Sequence, residues 1–299
     1  MLRVAELPSW ADYQERLARV AERRLFFVGG APRSGTTWLQ QILDAHPDIC
    51  CKGEGLFWKT LAVPLETLTQ ERRKSLDEKN ITLFRHTGGY PLPGPADTEH
   101  LLGTAILAAF AQQARDGDYR AIGEKTPENV FFFSRLRQLF PDARFIAIAR
   151  DPRDVLNSAW HFFRRPVAGE DSVAAMTAFI RAAIPSIADG ARAMLDFHQR
   201  NPALSAIITY EDLLRNGPAV IAGIFRLLGV SDRDDIVADC LDQASFAKAT
   251  GGRAAGVEER GAFHRKGIAG DWRSTLTPEM NAILMRELGW MFPKFGWRE

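Results

Sequence analysis

Residues 26–43 read FFVGGAPRSGTTWLQQIL, and three kinds of local structure follow one another within them. With Leu25 before it, LFFVGG is a short apolar run ending in glycine, which reads as a buried strand. Trp38, Leu39, Ile42 and Leu43 recur at helical spacing. Between the two, Gly35 permits a backbone bend, and Ser34, Thr36 and Thr37 offer N–H and hydroxyl donors where a helix N-terminus concentrates positive potential. The succession predicts a turn that holds phosphate or sulfate.

The departures from an ATP-binding loop narrow the chemistry. That loop reads GxxxxGK[ST], with a lysine for the terminal phosphates and a hydroxyl for magnesium. Here Gly30 and Gly35 keep the glycine spacing, but Thr36 stands where the lysine belongs and the cation, Arg33, lies inside the turn. Working outward, apolar runs predict strands at 25–29, near 49, at 144–149 and at 205–210. Helical patterns fall at 36–45, 152–163 and 217–228, and a long one at 174–199 is expected to break near Pro185. Alternating strands and helices predict an α/β fold, a single domain over 1–299 with a central parallel β-sheet flanked by helices, like that of P-loop nucleotide-binding proteins. Ligands of such sheets bind beyond the carboxyl ends of the strands, where Gly30 and Arg150 both fall.

PRSGTTWLQ resembles the 5′-phosphosulfate loop of sulfotransferases that use 3′-phosphoadenosine-5′-phosphosulfate (PAPS). Two further blocks in the family's order, making motifs at 29–38, 144–163 and 263–273, strengthen the resemblance. RFIAIARDPRDVLNSAWHFF, Arg144–Phe163, is similar to the 3′-phosphate motif and implies Arg150 and Ser158 as its ligands. FHRKGIAGDWR, 263–273, is similar to the carboxyl-terminal block of the cytosolic branch, whose Arg-Lys-Gly holds the same phosphate; this implies Arg265, Lys266 and Gly267. ITYEDLL and ASFAKAT resemble the segments near the adenine and imply Tyr210 and Phe246, with Trp38 on the opposite face of the base. Independently of the family, a 3′,5′-bisphosphorylated nucleoside requires fixed cations and oriented N–H groups. Arg33, Arg150, Arg265 and Lys266 would supply them, arginine suiting phosphate through its planar fork.

For catalysis, the resemblance divides. GEKTPENVFFF, 123–133, matches the cytosolic branch at Lys125 and Thr126, but Pro127 occupies the position of that branch's histidine base. LDAHPDICCKGEGLFW, Leu43–Trp58, instead resembles tyrosylprotein and some carbohydrate sulfotransferases, which implies Glu54 as the base, with Glu124 and His161 in reserve. Lys125 is assigned to the bridging oxygen, where negative charge accumulates as the S–O bond breaks, and Arg33 assists. PAP is then the desulfated product. No HExxH, paired CxxC or acidic cluster has metal-ligand spacing, so no metal is expected.

Composition agrees with an enzyme of this kind. The chain has 299 residues, 46% hydrophobic, and a net charge of +1, which gives no general case for nucleic-acid binding. The amino-terminal residues lack a signal-peptide core and no apolar run approaches membrane-spanning length, so the expectation is cytoplasmic residence. Cys50, Cys51 and Cys240 are too few for a disulfide framework and are expected to be reduced. Residues 60–97, 164–172 and 248–263 are expected to be irregular and to bound the acceptor site, the last as a lid. The acceptor is expected to be a small molecule or carbohydrate bearing a hydroxyl, with an amine or a peptide tyrosine also open. The aromatic tail MRELGWMFPKFGWRE is expected to cover the core, with a homodimer surface as its other use. Two other function classes stay open: a P-loop kinase or nucleotide hydrolase, and a non-catalytic PAP-binding protein.

Overall fold

Strands that are apolar at successive positions need cover on both faces. The computed structural model describes residues 9–115, 117–164, 171–259, 262 and 265–298. Strands β1 (Arg24–Gly30), β2 (Ile49–Cys51), β3 (Ala121–Lys125), β4 (Arg144–Ala149) and β5 (Ser205–Thr209) form a five-stranded sheet in the order β2-β3-β1-β4-β5. Every pairing is parallel, as expected for the α/β class.

Alternate residues of β1 serve opposite faces. Phe27 packs with Ile122, Phe145 and Ala147 into a core that includes helices Pro95–Ala114, Ser172–Arg200 and Pro278–Leu288. Phe26 and Val28 join Ile146 and Ile148 in a second core with helices Thr36–Asp44, Tyr210–Leu228 and Asp234–Gln243. Phe26, Phe27 and Phe145 are wholly buried, and burying a side chain of that size contributes about 2 kcal/mol. The register sets Val28 beside Lys125 and Gly30 beside Ile148, so Gly30, Lys125 and Arg150 emerge at one edge of the sheet.

Several local expectations need correction. The sequence pattern does not announce β3, because Gly123, Glu124 and Lys125 interrupt its apolar run although all five of its residues are buried. The stretch expected to be irregular at 60–97 contains the helix Val63–Thr82, whose many Glu, Lys, Arg and Leu residues favour that state, and the start of Pro95–Ala114; only 83–94 is irregular. The long helix Ser172–Arg200 continues through Pro185, held by buried Met176, Ile180, Ala188, Ala191, Met194 and Phe197. At 29 residues it is also long and apolar enough to cross a membrane, which overturns the expectation that no run approaches that length. Tyr210–Leu228 begins earlier than expected and kinks at Asn216, just before Gly217 and Pro218. The irregular stretches at 164–172 and 248–263 lie partly outside the described residues.

Cys50, Cys51 and Cys240 are free and buried. The aromatic tail covers the core: Phe292 and Phe295 are buried, and Trp297 stacks on Phe295 with ring centroids 4.8 Å apart.

Candidate active site

From β1 the chain turns through residues 31–35 into the helix Thr36–Asp44. Arg33 and Gly35 both take left-handed backbone angles, with φ of 73° and 98°. A Cβ at Gly35 would lie 2.6 Å from Tyr210 Cδ2, so the turn needs glycine for its backbone and for the ring against it. Gly35 is also the helix N-cap, and among the described residues no side chain caps that end, which leaves its first-turn N–H groups for a ligand. Ser34 is fully buried, and its Oγ has no hydrogen-bond partner among the described residues.

A cavity of about 700 Å³ is built on this turn. Of the residues nominated from sequence, Arg33, Gly35, Thr36, Thr37, Trp38, Glu54, Arg150, Ser158, Tyr210, Phe246, Arg265, Lys266 and Gly267 line it. Ser34 and Lys125 lie just behind its wall, buried. Arg33 donates from Nε to Ser158 Oγ at 3.2 Å and lies over the Phe162 ring at 4.3 Å. Arg150 reaches the Arg33 carbonyl at 3.2 Å and the Ile268 carbonyl at 2.9 Å, tying the turn to the carboxyl-terminal block.

The cations are crowded. Burial, then the neighbouring Arg150 and Arg265 guanidiniums, push Arg33 down to about 10, and an anion placed among them would relieve that repulsion. Arg150 Nε and Arg265 Nε, like Ser34 Oγ, are buried without a hydrogen-bond partner among the described residues. Unmet polar groups and concentrated positive charge on one cavity fit a polyanionic ligand.

The aromatic residues divide. Tyr210, only 6% exposed, lies under the Arg150 guanidinium at 4.2 Å and meets Trp38 edge-on at 5.5 Å, so it supports the arginine instead of offering an open stacking face. Phe246 presses on Gly267: φ there is 67°, and a Cβ would come within 2.4 Å of Phe246 Cδ2. Gly267→Ala is therefore expected to displace the ring, cost about 1–3 kcal/mol in thermal unfolding and weaken PAP binding in a titration. Unchanged melting and affinity would remove Phe246 and Gly267 from the site.

Sequence reasoning missed the acids that hold the carboxyl-terminal block. Asp271 accepts from Lys266 Nζ at 2.7 Å and Asn157 Nδ2 at 2.9 Å, and also pairs with Arg265. Asp154 accepts from the Gly270 and Trp272 amides at 2.6 and 3.1 Å, fastening the block to helix Pro152–Phe163. Glu258 pairs with Arg265 at 2.9 Å. The GDW triplet was the available signal for Asp271, since a carboxylate close to a basic block can neutralise it. Behind Arg150, Glu211 accepts from the Asp151 amide at 3.0 Å and from Trp297 Nε1 at 2.8 Å, which anchors the strand end to the tail.

At the other end of the cavity, Glu54 follows β2 and accepts from Lys125 Nζ at 2.5 Å. Lys125 also donates to Thr37 Oγ1 at 3.2 Å. A lysine from the adjacent strand thus stands beside the turn that lacks one. Lys125 is 3% exposed, whereas the Glu54 side chain is 42% exposed and faces the cavity. Pro127 and Glu128 line the cavity beside it; the reserve residues Glu124 and His161 do not. Among the described residues no group of three or more His, Cys, Asp or Glu is placed to hold a metal ion.

Comparison with known proteins gives consistent results. The family model described as the sulfotransferase family matches residues 26–235. A putative protein-tyrosine sulfotransferase of Caenorhabditis briggsae is 30% identical over 168 residues, covering 53% of this chain and 50% of that protein. The protein-tyrosine sulfotransferase of Drosophila melanogaster is 32% identical over 150 residues, 49% of this chain and 27% of that protein. The chain thus spans half or less of the length of these relatives. Among solved structures, a mouse sulfotransferase complexed with PAP superposes with a TM-score of 0.52 at 18% identity, over 93% of this chain and 88% of that one. The sulfotransferase domain of the Synechococcus olefin synthase gives 0.55 at 18% identity, over 93% and 96%. At that identity the likeness bears on the fold. The expectation of cytoplasmic residence is overturned by the protein-tyrosine sulfotransferase relatives together with the apolar helix Ser172–Arg200.

Proposed function

The chain belongs to the sulfotransferase family, and from that membership we propose that it transfers the sulfuryl group of PAPS to a hydroxyl or amine acceptor within one domain carrying all three motifs. The observation that carries this reading is the convergence of Arg33, Arg150, Arg265 and Lys266 on one cavity whose far wall holds the Glu54–Lys125 pair. In this reading the turn 31–37 binds the 5′-phosphosulfate, while Arg150, Ser158, Arg265, Lys266 and Gly267 bind the 3′-phosphate. Trp38 and Phe246 flank the adenine.

The acceptor oxygen or nitrogen attacks sulfur in line as the bond from sulfur to the bridging oxygen breaks. The acceptor proton passes to Glu54, and the electron pair of the broken bond stays on the bridging oxygen, where Lys125 and Arg33 meet the charge. Preplaced cations that meet developing charge supply much of the acceleration in related group transfers, and positioning counts for more than nucleophile strength when the transition state is loose. The sequence favours a small molecule or carbohydrate as acceptor. The names of the curated relatives support a protein tyrosine as a second reading.

PAP titrated into the purified protein is expected to raise its melting temperature by several degrees. Binding at a hundred times the dissociation constant adds about 2.7 kcal/mol. ADP and Mg-ATP should do less. Stabilisation by Mg-ATP without response to PAP would reverse the reading in favour of a kinase or hydrolase, and PAP binding without turnover on any acceptor would favour the non-catalytic binder.

A further inference from the structure

Glu124 is a buried carboxylate, 1% exposed, immediately before Lys125, and it does not line the cavity. Its Oε2 accepts from the Gly55 amide at 3.0 Å and from Thr126 Oγ1 at 2.8 Å, and its Oε1 accepts from Asn129 Nδ2 at 2.6 Å. Thr126 Oγ1 in turn accepts from the Leu56 amide at 3.2 Å, while Asn129 Nδ2 also donates to the Val28 carbonyl at 3.1 Å. The two amides belong to the residues directly after Glu54. Burial pushes the Glu124 carboxyl up, and these hydrogen bonds together with the Lys125 charge pull it back towards the ionised form.

Residues 124–126, at the end of β3, therefore grip the Glu54 loop twice. Lys125 holds the side chain, and Glu124 with Thr126 holds the backbone on its far side. We propose that Glu124 is a positioning residue for the transfer step: through the Gly55 amide it fixes the loop so that the Glu54 carboxylate meets Lys125 at the cavity wall. This rests on the reading of Glu54 as the base. The loop needs holding, because Gly53 and Gly55 leave the backbone on either side of Glu54 free, and Leu56 adopts φ of 49°, a conformation disfavoured for leucine. An ionised carboxylate can accept from the Gly55, Thr126 and Asn129 donors at once. A glutamine replaces one accepting oxygen with a donor and must break part of the set.

The test is Glu124→Gln, with Thr126→Val as a second, uncharged disruption of the same grip should the first variant fold poorly. PAP release from PAPS is followed with a panel of phenol, alcohol, sugar and tyrosyl-peptide acceptors, and PAP affinity is measured directly. A positioning role predicts turnover reduced about tenfold to a hundredfold, up to the lower end of general-base contributions. The donor KM and PAP affinity should be unchanged, and Glu54→Gln combined with Glu124→Gln should be no slower than Glu54→Gln alone. Lys125, now less covered, should also react faster with an acetylating reagent, read by mass spectrometry of the folded variant. Wild-type turnover in both variants, or losses that multiply in the double variant, would overturn the proposal. Wild-type turnover in Glu54→Gln would overturn it together with the base assignment, whereas an intact base effect with a silent Glu124 would overturn it alone. If wild-type protein releases no PAP with any acceptor, the transferase reading falls first and this role with it.

Discussion

Arg150→Ala is expected to weaken PAP binding by at least about a hundredfold, the largest loss from any single change in the donor site. The guanidinium is held in a fixed pose by the Arg33 and Ile268 carbonyls and by the Tyr210 ring beneath it, with its Nε unmatched among the described residues. Truncating one partner of a buried, hydrogen-bonded charge pair typically costs about 2–5 kcal/mol, which spans roughly thirtyfold to several thousandfold in affinity. The variant also cuts the link between the turn at Arg33 and the block at Ile268, so the loss should exceed that of a point charge. Arg150→Lys keeps the charge without the fork and should recover only part of the affinity. Calorimetric titration with PAP measures both, with melting of the ligand-free proteins as the check on folding. Affinity within a few fold of wild type in Arg150→Ala would take the 3′-phosphate away from this residue.

Glu54→Gln and Lys125→Ala are expected to have the opposite signature: turnover falls steeply and PAP still binds. Glutamine can still accept from Lys125 but cannot take the acceptor's proton, a loss of about 10²–10⁴-fold for a general base. Alanine at 125 removes the cation from the leaving oxygen, and one such electrostatic contact is worth about 10²–10³-fold. Because Lys125 is almost wholly buried beside Thr37 and the Glu54 carboxylate, Lys125→Met should accompany it, keeping the packed stem while removing the charge. Single-turnover measurement with PAPS separates these effects from product release. Equal turnover in either variant would remove that residue from the chemistry.

Much of this arrangement is legible in the sequence because it is local. β1, the turn and the helix after it are contiguous, and β4 with Arg150 and Ser158 forms a second contiguous unit, so residue spacing carries their geometry. β3 is not legible in this way. Gly123 packs against the Phe26 carbonyl and ring, while Glu124 and Lys125 satisfy their charges with groups brought in from elsewhere in the chain. A central strand thus looks too polar to be one. Tyr210 shows the complementary limit: its segment is recognisable in sequence, but only the assembled structure shows that Arg150 covers its ring. Asp271, Asp154 and Glu211 escape notice because their partners include amides and side chains distant in sequence.

The hydrogen bond from Trp297 to Glu211, which also receives the Asp151 amide, has a bearing on how the protein is made. Synthesis delivers the turn at 31–37 early, although a domain generally folds as a unit. Arg150, however, takes its pose from Ile268, and the residue after it is braced through Glu211 by Trp297. While those later residues are still within the ribosome, Arg150 lacks the Ile268 carbonyl and the brace through Glu211. A chain stalled short of the tail should therefore lack both the brace on the end of β4 and part of the core's cover, Phe292 and Phe295.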